Sequence, residues 1–474
     1  MSKVKELGKV YTPPHIVDLI LNQAKYNNSK ILKKHIIDNS CGDGAFLIEI
    51  VKRYCLEYYK KFKSYNGIEQ ELETYIHGIE IDLSERNKCI GRLNKVINNL
   101  GIENIKWDII NDNTLNVEKY NNKMDYVIGN PPYVRIHNLK NNYEAIKKMN
   151  FSKNGMTDLF IVFYELGMNM LNDKGILSYI TPSSIINSKA GSEFRKYIVN
   201  NQMFESFINL KHNQPFKSIT TYTGIFTLNK NHKQNKVDYY EYINNDIILI
   251  STLDSKNFYI NDNFYFGTKK DIGKLNKILT YDLKNDNYDI LVKNGLATLS
   301  DKIFIKDSFG FKSKHIIPVF KGSINKEKEI IYPYDEKGNI LDFNQLESNI
   351  QNYFLENKIE LEKRSIDKNS PWYAFGRSQG IKDIHKDKIT INSLLKTSKD
   401  IKLNIAKKGV GVYSGLYILG DIKINDLKKI LNDDFVKYIT LLNKYKSGGY
   451  YTFSSSDIKR YIIYSLNNKG ELYE

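Results

Sequence analysis

The chain runs to 474 residues, a length that points to two domains, and its 41% hydrophobic content with only 9 prolines describes buried cores, not a disordered polymer. No apolar run approaches the roughly 18 residues of a membrane span, and the opening MSKVKELGKV carries no apolar signal segment, so a cytoplasmic protein without a membrane partner is expected. A formal charge of +16, from 70 Lys and Arg against 54 Asp and Glu, would attract a polyanion such as nucleic acid, although the Lys, Asn, Ile and Tyr usage of an AT-rich genome produces the same balance.

Along the chain, PPHIVDLI reads first, as a helix opened by prolines with Thr12 in capping position. Short apolar strands then alternate with amphipathic helices, the pattern of a mostly parallel sheet covered on both faces. HIIDNS, YIHGIEID, IKWDII, MDYVIGN and GILSYITP read as five strands, with FESFINL and TYTGIFTLNK as a sixth and seventh. AFLIEIVKRY and TDLFIVFYELGMNML repeat apolar residues at three and four, as helices packed on a sheet do, and CLEYYKKFKSYNGIEQELETY reads as an extra helix before the second strand. The polar NKNHKQNK, 229–236, is the expected hinge. It separates a doubly wound, Rossmann-like α/β domain of residues 1–232 from a mixed α+β domain of residues 237–474. The three cysteines, Cys41, Cys55 and Cys89, form no CxxC pair, so neither a disulfide framework nor a metal site is expected.

In an open α/β sheet ligands bind outside the carboxyl ends of the strands, so the residues that follow each strand carry the functional reading. After the first comes DNSCGDGAF, in which Gly42 and Gly44 permit a tight turn and the helix from Ala45 offers free N–H groups; an ordinary strand-to-helix turn has the same composition. Without a GxxxxGK[ST] segment, P-loop chemistry is not supported. Glu80, closing the second strand, is placed to accept both hydroxyls of a ribose, but the spacing from the glycine turn is too long for a dinucleotide fold. Asp108, after the third strand, is expected to accept the exocyclic amine of a cofactor adenine held between Ile81 and Ile109. Each acid alone could be a solvated loop residue; Asp38, Glu80 and Asp108 closing successive strands form a pattern.

The fourth strand ends in GNPPYVR, where two consecutive prolines remove two backbone donors and fix two φ angles. The ordered array of YTPP, glycine turn, strand-end acids and Asn130-Pro131-Pro132-Tyr133, followed by a large C-terminal half, resembles the gamma-class (TaqI-like) DNA adenine-N6 methyltransferases of restriction-modification systems. The resemblance implies S-adenosylmethionine as cofactor, bound by Thr12, Asp38, Cys41, Gly42, Gly44, Glu80, Ile81, Asp108 and Ile109, with Thr12 at its methionine part. The Cys41 side chain itself reads as packing, since nothing resembles the Pro-Cys nucleophile of cytosine-C5 enzymes. It also implies that Asn130 and the Pro131 carbonyl hold the target N6 and that a flipped adenine stacks on Tyr133 and on Phe216 of NQPFKSITTYTGIF, a residue that a core beside a loop would equally explain. The aromatics of DLFIVFYE match a pocket-lining helix of the family, but their helical spacing reads as core.

The second half resembles a target-recognition domain in VKNGLATLSDKIFI, PWYAFGRSQGI and KSGGYYTFSSSDIKRYI, where basic and aromatic residues interleave. Arg377 and Gln379 are candidate readers of guanine and adenine, or else structural or phosphate contacts. The expected protein is a monomer that methylates double-stranded DNA, with a cognate restriction endonuclease as its companion. Cytosine-N4 methylation, RNA or protein-glutamine methylation by the same tetrapeptide, and a non-catalytic DNA-binding module are the alternatives.

Overall fold

The computed structural model describes residues 11–136, 143–213, 215–216, 221–322 and 326–468. The chain divides into two compact units, Met1–Asn276 and Lys277–Glu474.

The first unit is built on a nine-stranded sheet: β1 (Ile36–Asp38), β2 (Ile76–Glu80), β3 (Asp108–Asn111), β4 (Met124–Gly129), β5 (Leu171–Pro182), β6 (Phe204–Asn209), β7 (Thr223–Asn229), β8 (Lys236–Ile243) and β9 (Asp246–Asp254). Their order is β3-β2-β1-β4-β5-β7-β6-β8-β9. Neighbours from β3 to β5 are parallel, β7 runs antiparallel between β5 and β6, and β8 pairs parallel with β6 and antiparallel with β9. The order reverses between β1 and β4, so a crevice opens at their carboxyl ends, where ligands of doubly wound sheets bind.

Composition explains these elements. β1 and β2 are buried at every position, as strands covered on both faces are, and Ile36, Ile37 and Ile79 are β-branched. The helix Pro14–Gln23 turns Ile16, Val17, Ile20 and Leu21 inward, and the helix Ala45–Phe62 turns Phe46, Leu47, Ile50, Val51 and Tyr54 into the same core. Each such aliphatic side chain contributes roughly 1.5–3 kcal/mol of burial. The stretch read as one extra helix is the end of Ala45–Phe62 and a second helix, Ile68–Tyr75, separated where Lys63 and Gly67 take φ of 55° and 82°. Among the described residues no helix is long and apolar enough to cross a membrane.

The polar 229–236 stretch is not where the chain divides. It is the connection from β7 to β8, and β8 and β9 extend the first unit's own sheet. The division at 276 and 277 lies inside an amphipathic helix, Lys269–Thr280.

The second unit is mixed α+β, as expected. Leu291–Asn294, Leu416–Leu419, Lys388–Ile391 and Leu403–Ala406 form an antiparallel sheet; Ile305–Lys306, Lys326–Ile331, Ile316–Lys321 and Gly411–Tyr413 form a mixed one, in which the last two strands pair in parallel. A three-stranded sheet joins Leu394–Leu395 to Tyr445–Lys446 and Tyr450–Thr452, and the helices include Ser348–Glu356, Asp433–Leu441 and Ser455–Asn467.

Candidate active site

At the end of β1 the Asp38 side chain is buried, and Oδ1 accepts from the Ser40 N–H at 3.1 Å. Burial, reinforced by the negative charge of Glu80 and opposed by the Ser40 bond, pushes its pKa up to about 7. The chain then turns through Gly42 (φ +55°) and Gly44 (φ +88°), conformations that favour glycine. A Cβ on Gly44 would meet Cys89 Sγ at 2.6 Å, whereas one on Gly42 would meet nothing within 4 Å. Gly44 is therefore closed off by the helix Leu83–Asn98, while Gly42 faces open space. Cys41 is buried beside Cys89 and Gly78, the packing role expected of it.

Glu80, closing β2, fastens this turn to the next. Its Oε2 accepts from the Gly42 N–H at 2.9 Å and its Oε1 from the Asp82 N–H at 2.8 Å.

Asp108 does not close a strand; it opens β3. The register sets Asp108 opposite His77 and Asn111 opposite Glu80. Asp108 accepts from His77 Nδ1 at 2.7 Å and pairs with Lys119 Nζ at 2.7 Å. Burial alone would raise its pKa, but the His77 and Lys119 bonds hold it well below the ordinary carboxylate range. It lies three residues before the carboxyl end, about 10 Å at the usual strand rise, and cannot be the acid beside Glu80. The residue just beyond β3 is Asp112, exposed, with the Asn113 N–H donating to its Oδ1 at 2.6 Å. The expected Ile81 and Ile109 sandwich fails for the same reason. Ile109 is buried level with Gly78, near where a Gly78 Cβ would stand, whereas Ile81 is 55% exposed beyond the end of β2.

β4 delivers the proline corner to the same edge. Gly129 is required because a Cβ there would lie 2.8 Å from Asp38 Oδ1. Asn130 is half-buried and donates from Nδ2 to Thr12 Oγ1 at 3.2 Å, and the Ser40 hydroxyl lies 3.5 Å from its carbonyl oxygen. Pro131 is buried; Pro132 and Tyr133 are partly buried. Beyond the corner the Val134 carbonyl accepts from the Leu159 N–H at 2.7 Å and the Ile136 N–H donates to Thr157 at 3.2 Å, so the chain is pinned against the start of the helix Leu159–Met170. The Tyr133 hydroxyl donates to the Ile180 carbonyl at 3.1 Å, and its ring meets Phe160 edge-on at 6.1 Å.

Thr12 is not a helix cap. Pro13 is the N-cap residue of Pro14–Gln23, no side chain caps that helix, and the Thr12 hydroxyl is buried against Asn130. Phe216, the expected second stacking face, is close to Tyr133. It is buried with Ile128, Ile180, Ile208 and Ile225, and its ring lies 6.4 Å from that of Tyr133 at 78°. That is direct edge-to-face contact; four of its neighbours in the sequence, 217–220, lie outside the described residues. The aromatics of the helix Leu159–Met170, Phe160, Phe163 and Tyr164, are buried, as their spacing predicts.

In the second unit, two of the basic–aromatic stretches meet. Gly376 and Arg377 donate main-chain bonds to Thr298 and Ala297, and Gln379 Nε2 donates to the Gly295 carbonyl at 2.6 Å. Arg377 and Gln379 are exposed, but Arg377 Nη1 already serves the Ser365 and Gly376 carbonyls at 2.7 Å and lies 3.5 Å from Asp367. Both therefore have structural work in this conformation.

The chain is similar to known proteins. Along nine-tenths of its length the chain is similar to the type II methyltransferase M.BstVI of Geobacillus stearothermophilus: 25% identity, covering 91% of this chain and 85% of that protein. The type II restriction enzyme and methyltransferase RM.Eco57I of Escherichia coli is 24% identical over 90% of this chain, which spans only 54% of that longer protein. The fold is shared with the type IIL restriction-modification enzyme MmeI, solved in complex with DNA, at a TM-score of 0.59 and 14% identity, covering 88% of this chain and 62% of the other. Residues 29–216, which hold the glycine turn, the strand-end acids and the Asn-Pro-Pro-Tyr corner, match the model of the Eco57I restriction-modification methylase family.

Proposed function

We propose that this chain transfers the methyl group of S-adenosylmethionine to N6 of an adenine within a specific double-stranded DNA sequence, the first unit performing the chemistry and the second choosing the sequence, as the modifying partner in a restriction-modification system. The observation that carries this reading is the Asn130–Tyr133 corner at the end of β4, on the same sheet edge as Gly42, Glu80 and Asp38.

The residues present fit this cofactor. Open space at Gly42, the Glu80 carboxylate bonded to the Gly42 N–H and the buried carboxyl of Asp38 together suit a nucleoside that carries positive charge. When bound, S-adenosylmethionine supplies an electrophilic methyl on its sulfonium. The nucleophile is harder to provide, because the adenine N6 lone pair is delocalised into the ring. Asn130 Oδ1 and the Pro131 carbonyl each accept one N6–H bond, which draws the nitrogen toward tetrahedral geometry and directs its lone pair. The prolines keep that carbonyl rigid, so the effect is one of positioning and preorganisation. Extruding the base costs a few kcal/mol. Stacking on the Tyr133 ring, held in orientation by the Ile180 carbonyl and Phe160, returns about 1–3 kcal/mol.

The register of β3 favours Asp112 over Asp108 as acceptor for the cofactor's adenine amine. Asp112→Ala should weaken cofactor binding about tenfold or more, the worth of a hydrogen bond to a charged group. Asp108→Asn should lower the melting temperature and leave the dissociation constant unchanged; calorimetric titration of both variants checks the pair.

Expression in a host lacking adenine methylation, followed by direct long-read sequencing, tests the function. N6-methyladenine at a single motif is the expected result. N4-methylcytosine would move the reading to the other amino-methylating class, and unmodified DNA from a well-expressed protein would overturn it.

A further inference from the structure

We propose that Asn111 and Thr114 are positioning residues that hold Asp112 at the carboxyl edge of the sheet, an inference that rests on the function proposed above and on Asp112 as acceptor of the cofactor's adenine amine. Asp112 is exposed just beyond β3, and its bond from the Asn113 N–H is local. Asn113 is local too: its Oδ1 accepts from the Leu115 N–H at 3.1 Å and opens a short helical turn, Thr114–Asn116. Bonds of that kind shape a loop without fixing its place. The side chains on either side of Asp112 and Asn113 supply the attachment.

Asn111 Nδ2 donates to the Glu80 carbonyl at 2.9 Å and to the Ile81 carbonyl at 3.1 Å, which ties the loop to the end of β2. The buried Thr114 hydroxyl donates to the carbonyl of buried Asn39 at 2.6 Å, which ties it to the end of β1. β2 lies between β3 and β1, so this second tie reaches past a whole strand, about 9–10 Å at the usual spacing. The direction of all three bonds is fixed. A main-chain carbonyl only accepts, so Asn111 presents both amide hydrogens and Thr114 its single hydroxyl hydrogen. An exposed acid on a loose loop would have to be ordered at the moment of binding, at a cost in affinity; anchored on both sides, the loop holds Asp112 in place beforehand.

The test is calorimetric titration with S-adenosylhomocysteine and with its purine analogue, in which hydrogen replaces the exocyclic amine. Wild type should bind the first about tenfold or more tightly, the worth of a hydrogen bond to a charged group, and Asp112→Ala should not distinguish the two. Thr114→Val, which keeps shape and loses the donor, and Asn111→Ala should each cut the preference to about threefold or less, whereas Thr114→Ser should stay within about twofold of wild type. The ratio separates positioning from a merely structural role, because a general loosening weakens both ligands alike. In the Asp112→Ala background Thr114→Val should cost no further affinity, since the two act through one interaction. Where Thr114→Val does not fold, Asn111→Ala, a change to an exposed side chain, carries the comparison. A full wild-type preference in Asn111→Ala or in a folded Thr114→Val, or losses that multiply in the double variant, would overturn the positioning role alone. A wild type that binds both compounds equally, or an Asp112→Ala that keeps the preference, overturns the Asp112 reading and the positioning role with it; a wild type that binds neither overturns the cofactor assignment.

Discussion

Asn130→Ala should reduce the rate of methyl transfer roughly 10²- to 10³-fold, about 3–4 kcal/mol, by analogy with removal of one preorganised polar group from a transition-state site. The substitution deletes an acceptor whose effect grows as the N6 nitrogen becomes tetrahedral, so the loss belongs in the chemical step. Cofactor and DNA dissociation constants should therefore hold close to wild type, and the fold should survive, because the corner keeps both prolines, the Gly129–Asp38 contact and the Val134–Leu159 and Ile136–Thr157 main-chain bonds. Single-turnover transfer of a radiolabelled methyl group to a duplex carrying the target site measures it. Asn130→Asp should fall between the two, since it keeps an acceptor oxygen and loses the donor to Thr12. A rate for Asn130→Ala within tenfold of wild type, in a protein that melts normally, would show that the acceptor lies elsewhere.

What the sequence made legible follows from burial. The seven strands β1 to β7 were readable because they are short apolar runs bounded by polar or glycine turns, and the proline corner because no buried strand end needs two consecutive imino residues. β8 and β9 were missed. Their sequences, KVDYYEYI and DIILISTLD, mix exposed and buried positions at the sheet's edge, and the polar segment ahead of them has the composition of a linker. The division of the chain inside Lys269–Thr280 leaves no compositional mark. Asp108 was misplaced by an error in one strand boundary. IKWDII reads as a strand that ends in the acid region, but Trp107 precedes the ladder and Asp108 begins it, which moves the strand-end position to Asp112. The signal was present as the second acid of DIIND, two positions after the last apolar residue. The Thr12–Asn130 bond was not readable at all, because a contact across 118 residues depends on tertiary packing, and the YTPP segment offered a local capping explanation that the structure removes.

Cofactor affinity should rise with pH up to about 7 and then level off, because the buried Asp38 carboxyl titrates near that value. Below pH 7 the free protein holds Asp38 protonated, and a positively charged ligand that favours the carboxylate must displace the proton. The apparent dissociation constant should then grow by up to about tenfold for each pH unit below the midpoint. The sign for stability is opposite. Asp38 has a folded pKa above its ordinary value of 3.8, so the folded state holds the proton more tightly than the unfolded chain between those limits. Its contribution to the free protein is full below about pH 4 and is lost as pH rises through about 7. Asp38→Asn mimics the neutral form, so its melting temperature relative to wild type should climb between pH 5 and about 8 while its cofactor affinity becomes flat with pH and stays weak. Calorimetric titration and melting curves on both proteins across that range read the two slopes independently. A wild-type affinity that does not vary between pH 5.5 and about 7.5 would mean that the ligand's charge is met by another group, and Asp38 would then serve only to seat Gly129 and the Ser40 turn.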